Sequence, residues 1–187
     1  MTKVAVVGVG YWGKNLARNF AQLGALHAVC DGHAPTLERI AALHKPALAT
    51  ASYDAVLADP AIAGVVLATP AVHHFAHARA ALLAGKDVFV EKPLCLGLRE
   101  AAELGQLAVR CGRILMVGHL LQYHPCIQTI LQLVATGELG KLQYITSNRL
   151  NLGKIRHEEN SLWSFAPHDI SVKIGRASCR ERVSPYV

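Results

Sequence analysis

Apolar residues in the first 118 positions fall in short unbroken runs, separated by longer stretches with helical spacing. The Val-rich run over 3–8 lacks polar alternation, which predicts a parallel strand buried on both faces. A helix is expected over 12–23, where Leu16, Phe20 and Leu23 share one face, and Gly24 stops it. Residues 26–31 predict a second strand, 35–44 a helix opened by Pro35 near its first turn, and 47–51 a short third strand. Ser52 is placed to cap a brief helix over 53–58. Next come a strand at 64–69, an Ala-rich helix at 71–84 closed by Gly85, and a strand at 87–91. A helix at 98–111 closed by Gly112 and a strand at 114–118 complete the series. This alternation specifies an α/β fold with a doubly wound parallel sheet.

The pattern changes after His119. Residues 125–136 read as a helix stopped by Gly137, and 141–150 alternate like a half-buried antiparallel strand. The expected organisation is a nucleotide-binding domain over 1–120 and the start of an incomplete α+β domain over 121–173. Residues 174–187 have no period and no core pattern, and they read like a translated sequencing adaptor. They are expected to be a non-native tail, on a sequence whose second domain does not finish. Without them the net charge falls from +6 to +4, since three Arg and one Glu leave.

Composition narrows the classes. At 52% hydrophobic and 17% charged the chain is globular rather than disordered. No apolar stretch approaches the ~20 residues that span a bilayer, and the first apolar run is too short for a signal peptide. A cytoplasmic protein with no membrane partner is expected. Five cysteines at 30, 95, 111, 126 and 179 form no CxxC pair, which argues against a zinc site or a disulfide framework. The basic residues are scattered over predicted helix faces without interleaved aromatics, so no nucleic-acid partner is expected. Solvated surface, or an anionic small-molecule substrate, accounts for the charge.

The candidate chemistry lies where strands end. In a parallel α/β sheet the carboxyl ends of the strands share the edge where ligands bind. Gly8-Val9-Gly10-Tyr11-Trp12-Gly13 follows the first run as a GxGxxG turn. Gly8 would allow the tight turn, Gly10 the approach of a pyrophosphate, and Gly13 the packing of helix on strand. The phosphates would meet the positive end of the helix. Asp31, eighteen positions beyond Gly13, closes the second run, where a carboxylate can accept from both ribose hydroxyls and repel a 2′-phosphate. No Arg stands at 32–37, so NAD is favoured over NADP. Thr69-Pro70 closes the fourth run, Glu91-Lys92-Pro93 the fifth and Gly118-His119 the sixth. A lysine buried beside a nicotinamide cation would have its pKa lowered by desolvation and like charge, fitting it to exchange a hydroxyl proton. A surface lysine paired with Glu91 is the alternative.

Other groups are less specific. His73 and His77 stand four apart on a predicted helix, a metal-compatible spacing with no third ligand evident, so no metal is expected. His168-Asp169, in an aromatic-rich turn, suits acid/base work near neutral pH, against an ordinary packed histidine. Arg149, Asn151, Lys154, Arg156 and His157 form a cluster able to bind phosphate or carboxylate, against a solvated loop.

Over residues 3 to about 172 the chain resembles the Gfo/Idh/MocA oxidoreductases. The matching pieces are Val4-Ala5-Val6-Val7-Gly8-Val9-Gly10, Thr69-Pro70, His74, Ala84-Gly85-Lys86 and Glu91-Lys92-Pro93. The resemblance implies a Rossmann domain holding NAD through Gly8, Gly10, Tyr11, Trp12, Gly13, Asp31, Thr69, Pro70, His74, Glu91 and Lys92. It implies that Lys92 is the catalytic lysine and that His168, with Asp169, assists proton transfer. The family's Asp four residues before that His is Ser164 here, a departure that leaves its supporting role without a counterpart. Tyr11 to Leu16, Gly118 to Pro125, Ser147 to Arg156 and Leu162 to Asp169 are similar to a narrower branch, which oxidises carbon 3 of UDP-N-acetylglucosamine-type sugars for surface glycans. That likeness implies a nucleotide-sugar substrate held by Lys92, Arg149, Asn151, Lys154, Arg156, His168 and Asp169, and a homo-oligomer for the full-length form. A relative acting on a free sugar or polyol, or an NAD-binding fragment without turnover, are the alternative expectations.

Overall fold

The computed structural model describes residues 2–148 and 161–174. Two units divide the chain, Met1–Gly118 and a second that begins at His119.

The first unit is a six-stranded parallel sheet: β1 (Val4–Val7), β2 (Leu26–Cys30), β3 (Leu48–Thr50), β4 (Gly64–Leu67), β5 (Asp87–Val90) and β6 (Leu115–Val117). The strand order is β3-β2-β1-β4-β5-β6, the arrangement of a Rossmann domain. Between the strands run α1 (Gly13–Gln22), α2 (Ala34–His44), α3 (Tyr53–Ala58), α4 (His74–Leu83) and α5 (Leu98–Cys111). At the centre Val6 faces Val29 on one side and Val66 on the other, after a register shift between Val4 and Ala5 against β2.

Period-two side chains divide the core in two. Val6, Val29 and Val66 pack with Leu16 and Ala17 of α1 and Ile40 of α2 on one face. Ala5, Val7, Ala28, Val65, Leu67, Val88 and Val90 pack with Val56 of α3, Ala78 and Leu82 of α4 and Leu104 of α5 on the other. Each central strand is thus apolar on both sides, the reason its sequence shows no alternation. Ser52 caps α3 by accepting from the Ala55 N–H, and Gly112 ends α5 in the left-handed region at φ 60°. The Ala-rich helix opens later than its composition indicates: Ala71–His73 is a 3₁₀ turn, and α4 begins at His74.

In the second unit α6 (Pro125–Ala135) forms as the sequence indicates, with the His124 side chain accepting from the Cys126 N–H. The strand expected at 141–150 does not form over 141–148, which is irregular and exposed. Among the described residues nothing pairs with that stretch to cover Leu142, Tyr144 and Ile145, and an amphipathic strand without a partner has no reason to stay extended. The aromatic-rich turn expected around His168 is instead a helix, α7 (Ser161–Ile174). It continues through Pro167, which forgoes one backbone donor without ending the helix. Residues 175–187, nearly all of the expected tail, lie outside the described residues. Among the described residues no helix is long and apolar enough to cross a membrane.

Candidate functional site

One row of hydrogen bonds extends the sheet by a residue beyond the last carbonyl of its strands. Gly8 N donates to Cys30 O (2.8 Å), Ala68 N to Val7 O (2.8 Å), Glu91 N to Leu67 O (2.9 Å) and Gly118 N to Val90 O (2.8 Å). The residues following each strand are therefore held at fixed spacing along the carboxyl edge. Strand order reverses between β1 and β4, so the crevice for a dinucleotide opens at Gly8 and Ala68-Thr69.

Glycine is required at two points of that crevice. Gly8 has φ +82°, and a Cβ there would stand 2.7 Å from Thr69 N. A Cβ on Gly13 would stand 1.8 Å from Gly8 O, so α1 closes onto the loop only without a side chain. Gly10 differs: a Cβ there meets nothing within 4 Å, leaving open space over the loop. The N-terminus of α1 has no side-chain cap and no acidic residue in its first turn. An uncapped, positive helix end facing open space fits the pyrophosphate of NAD.

Asp31 braces the same loop. Its Oδ2 accepts from Val9 N at 2.8 Å and its Oδ1 from His33 N at 2.9 Å. Each oxygen keeps a further lone pair for a ribose hydroxyl. The charge of Asp31 adds to burial in pushing the Cys30 thiol up to about 11, so that thiol stays protonated.

The turn after β5 carries Glu91, Lys92 and Pro93, with a cis Lys92–Pro93 bond. Glu91 is buried and accepts from Trp12 Nε1 at 2.8 Å; Lys92 is half-buried. Burial raises the Glu91 pKa, against the opposing bonds from Trp12 and the Lys92 N–H and the charges of Lys92 and His74. His74 lies beneath the turn, 1% exposed, with Nδ1 2.6 Å from Pro93 O and Nε2 2.8 Å from Thr69 O. Its ring nitrogens thus bridge two loops of the cofactor edge. His73 and His77 stack at 5.6 Å between centroids, and Tyr53 OH donates to His77 O. Burial first, then the neighbouring His73 and His74, lowers the His77 pKa. Among the described residues no group of three or more His, Cys, Asp or Glu is placed to hold a metal.

Gly8, Gly10, Tyr11, Trp12, Gly13, Asp31, Thr69, Pro70, His74, Glu91 and Lys92 therefore all sit at or just behind one sheet edge. His168 and Asp169 belong to the second unit, on α7. There the His168 ring meets His119 edge-on at 6.4 Å, and Asp169 Oδ1 accepts from Ser147 Oγ at 3.0 Å. Arg149, Asn151, Lys154, Arg156 and His157 lie outside the described residues. Gly118, which the sequence marks as a strand end, has a packing role the sequence did not show: a Cβ there would stand 3.1 Å from Glu91 Oε1.

Comparison with known proteins agrees with this geometry. The chain is 33% identical over 148 residues to the UDP-N-acetylglucosamine 3-dehydrogenase of Acidithiobacillus ferrooxidans, covering 79% of this chain and 45% of that protein. It is 31% identical over 148 residues to the scyllo-inositol 2-dehydrogenase (NAD(+)) of Bacillus subtilis, covering 76% and 42%. Among solved structures, GenD2 from gentamicin A biosynthesis in complex with NAD matches with a TM-score of 0.70 at 32% identity, over 73% of this chain and 40% of that one. The chain thus spans less than half the length of these relatives. The model of the oxidoreductase family with an NAD-binding Rossmann fold matches residues 2–119, and the chain belongs to this Gfo/Idh/MocA family, with an NAD-binding Rossmann domain.

Proposed function

We propose that this chain carries the cofactor domain of a dehydrogenase acting on a sugar-nucleotide hydroxyl, at carbon 3 of a UDP-N-acetylglucosamine-type sugar. The observation that carries the proposal is the place of Lys92. It stands one residue beyond the edge bond of Glu91, next to the strand whose loop closes over Gly8. NAD bound in this crevice would supply the hydride acceptor. Asp31 would hold the adenosine ribose, and the uncapped end of α1 would hold the pyrophosphate. Lys92 would bind the reacting hydroxyl and take its proton as the carbon loses hydride. His168, on the second unit, would assist that transfer with Asp169 beside it. Arg149, Asn151, Lys154 and Arg156 would supply countercharge and hydrogen bonds to a pyrophosphate or uronate.

The named activity of the 33%-identical relative supports the nucleotide sugar. A free polyol is the second reading, favoured by the relative named for scyllo-inositol. A cytoplasmic location and homo-oligomeric assembly through the second domain belong to the same proposal. The test is NADH formation by the product of the complete gene with UDP-N-acetylglucosamine, UDP-N-acetylglucosaminuronate, scyllo-inositol and myo-inositol. Turnover confined to the inositols overturns the sugar-nucleotide reading. Near-normal turnover in K92A overturns the role of Lys92. For the 187-residue chain, NAD binding without turnover would identify a cofactor module, and measurable turnover would exclude that reading.

A further inference from the structure

We propose that Trp12 is a positioning residue for Lys92, acting through the Glu91 carboxyl group, so that the glycine loop sets where the lysine stands. The role rests on the reading of Lys92 above; the bond that carries it belongs to the fold. Trp12 Nε1 donates to Glu91 Oε1 at 2.8 Å, and the backbone N–H of Lys92 donates to the same carboxyl group. An indole N–H can only donate, and a carboxyl oxygen accepts whether or not the group carries a proton. The direction of the bond is therefore fixed. Glu91 is 8% exposed, so water is poorly placed to replace either donor.

Trp12 occupies the N-cap of α1, where Ser, Thr, Asp or Asn would satisfy an N–H, yet its side chain caps nothing there. Its ring is 41% exposed, so core packing does not account for it either. Its N–H is turned instead onto Glu91. On the β6 side Gly118 makes the room: a Cβ there would stand 3.1 Å from Oε1 of Glu91 and 3.2 Å from its Cδ. The main chain of Glu91 is held as well, since its N–H donates to Leu67 O at 2.9 Å. With backbone and carboxyl group both fixed, Lys92 leaves the strand end in one direction. Removing the indole donor frees the carboxyl group, and with it the acceptor of the Lys92 N–H. A displacement of about 1 Å at a reacting group can cost roughly 100-fold in rate.

Indole N–H NMR of the 187-residue chain tests the bond, the signal lost in W12F being that of Trp12. The Trp12 indole proton should exchange with water roughly 10-fold more slowly in the parent than in E91M, which keeps bulk but removes the oxygens. Equal exchange in the two proteins overturns the proposal. Positioning is tested in the product of the complete gene, at saturating NAD and sugar substrate. W12F should lower kcat roughly 10-fold, and E91M at least as much, because it also leaves the Lys92 N–H without that acceptor. In an E91M background W12F should cost nothing further, since the two residues act as one unit. Losses that multiply overturn the positioning role, as does a W12F effect confined to NAD affinity with kcat intact. Near-normal turnover in K92A overturns the reading of Lys92 instead, and the indole result still decides whether Trp12 holds Glu91. Should E91M fail to fold, kcat of W12F decides the role, and exchange of the parent's indole proton against free indole decides the bond.

Discussion

Trp12 Nε1 donates to Glu91 Oε1 at 2.8 Å, joining the glycine loop to the β5 turn across 79 positions of sequence. The contact sets a buried carboxyl group at the centre of the cofactor edge, in space left by Gly118.

Burial raises the folded-state pKa of Glu91 above its unfolded value. The folded protein therefore holds that proton more tightly. The resulting stability is fully present below the ordinary Glu pKa and is lost as pH rises through the raised folded value. E91Q removes the titration. Denaturant midpoints followed from acid to neutral pH should show the parent losing stability relative to E91Q over that window. A flat difference, or one of opposite sign, would refute burial as the dominant influence on Glu91.

Gly8 and Gly10 stand two residues apart and should respond oppositely to a methyl group. At Gly8 the backbone has φ +82°, and the new Cβ would meet backbone atoms of Ala68 and Thr69 that cannot swing aside. G8A should cost about 1–3 kcal/mol in unfolding free energy. G10A should change stability by less than about 0.5 kcal/mol, because its Cβ meets nothing within 4 Å. Yet that open space is where a pyrophosphate approaches, so G10A should weaken NAD binding. Calorimetric titration with NAD checks this pair, and a G10A protein binding like the parent would remove the loop from the phosphate site.

Much of this edge was legible beforehand, for local reasons. Val4–Val7, Gly64–Leu67 and Asp87–Val90 are apolar on both faces, and Ser52, Gly24 and Gly112 mark helix ends by their own chemistry. Parallel topology then carried Gly8, Asp31, Thr69 and Lys92 to one side without further information. The bonds between them were not legible. Glu91 meets Trp12, and His74 meets Pro93 nineteen residues away, only because strand order makes distant loops neighbours. The strand expected at 141–150 did not form over 141–148 for the complementary reason: alternation shows that one face is apolar, not that another element covers it.

Asp31 offers a sharper test than its charge alone. Two backbone N–H groups, from Val9 and His33, point at its two oxygens. D31N has one carbonyl oxygen and would turn an amide NH2 against the second donor. NAD affinity should fall in D31N as well as in D31A, although asparagine nearly matches aspartate in size. D31A should also raise NADP binding relative to NAD, because the repulsion of a 2′-phosphate is gone. The ratio of the two dissociation constants, measured by fluorescence titration, is the readout. A D31N protein with the parent's NAD affinity would show that charge and loop bracing are both dispensable.

Lys86 separates stability from cofactor binding, since it lies at the opposite edge of the sheet, directly before β5. It is 7% exposed, and its Nζ donates to Asp59 O and Ile62 O, each at 2.7 Å. These carbonyls lie in the segment between α3 and β4, where Asp59 O also accepts from Ile62 N at 3.3 Å, and the ammonium ties the two together. K86M fills the space of the stem and removes the donor, leaving Ile62 O to find water or stay unpaired. The loss in unfolding free energy should be about 1–3 kcal/mol. NAD affinity, measured well below the unfolding midpoint, should not change, because the strands transmit no altered register to Gly8 or Asp31. A K86M protein as stable as the parent would mean that water satisfies the Ile62 carbonyl, and a weakened NAD affinity would mean that the two edges are coupled.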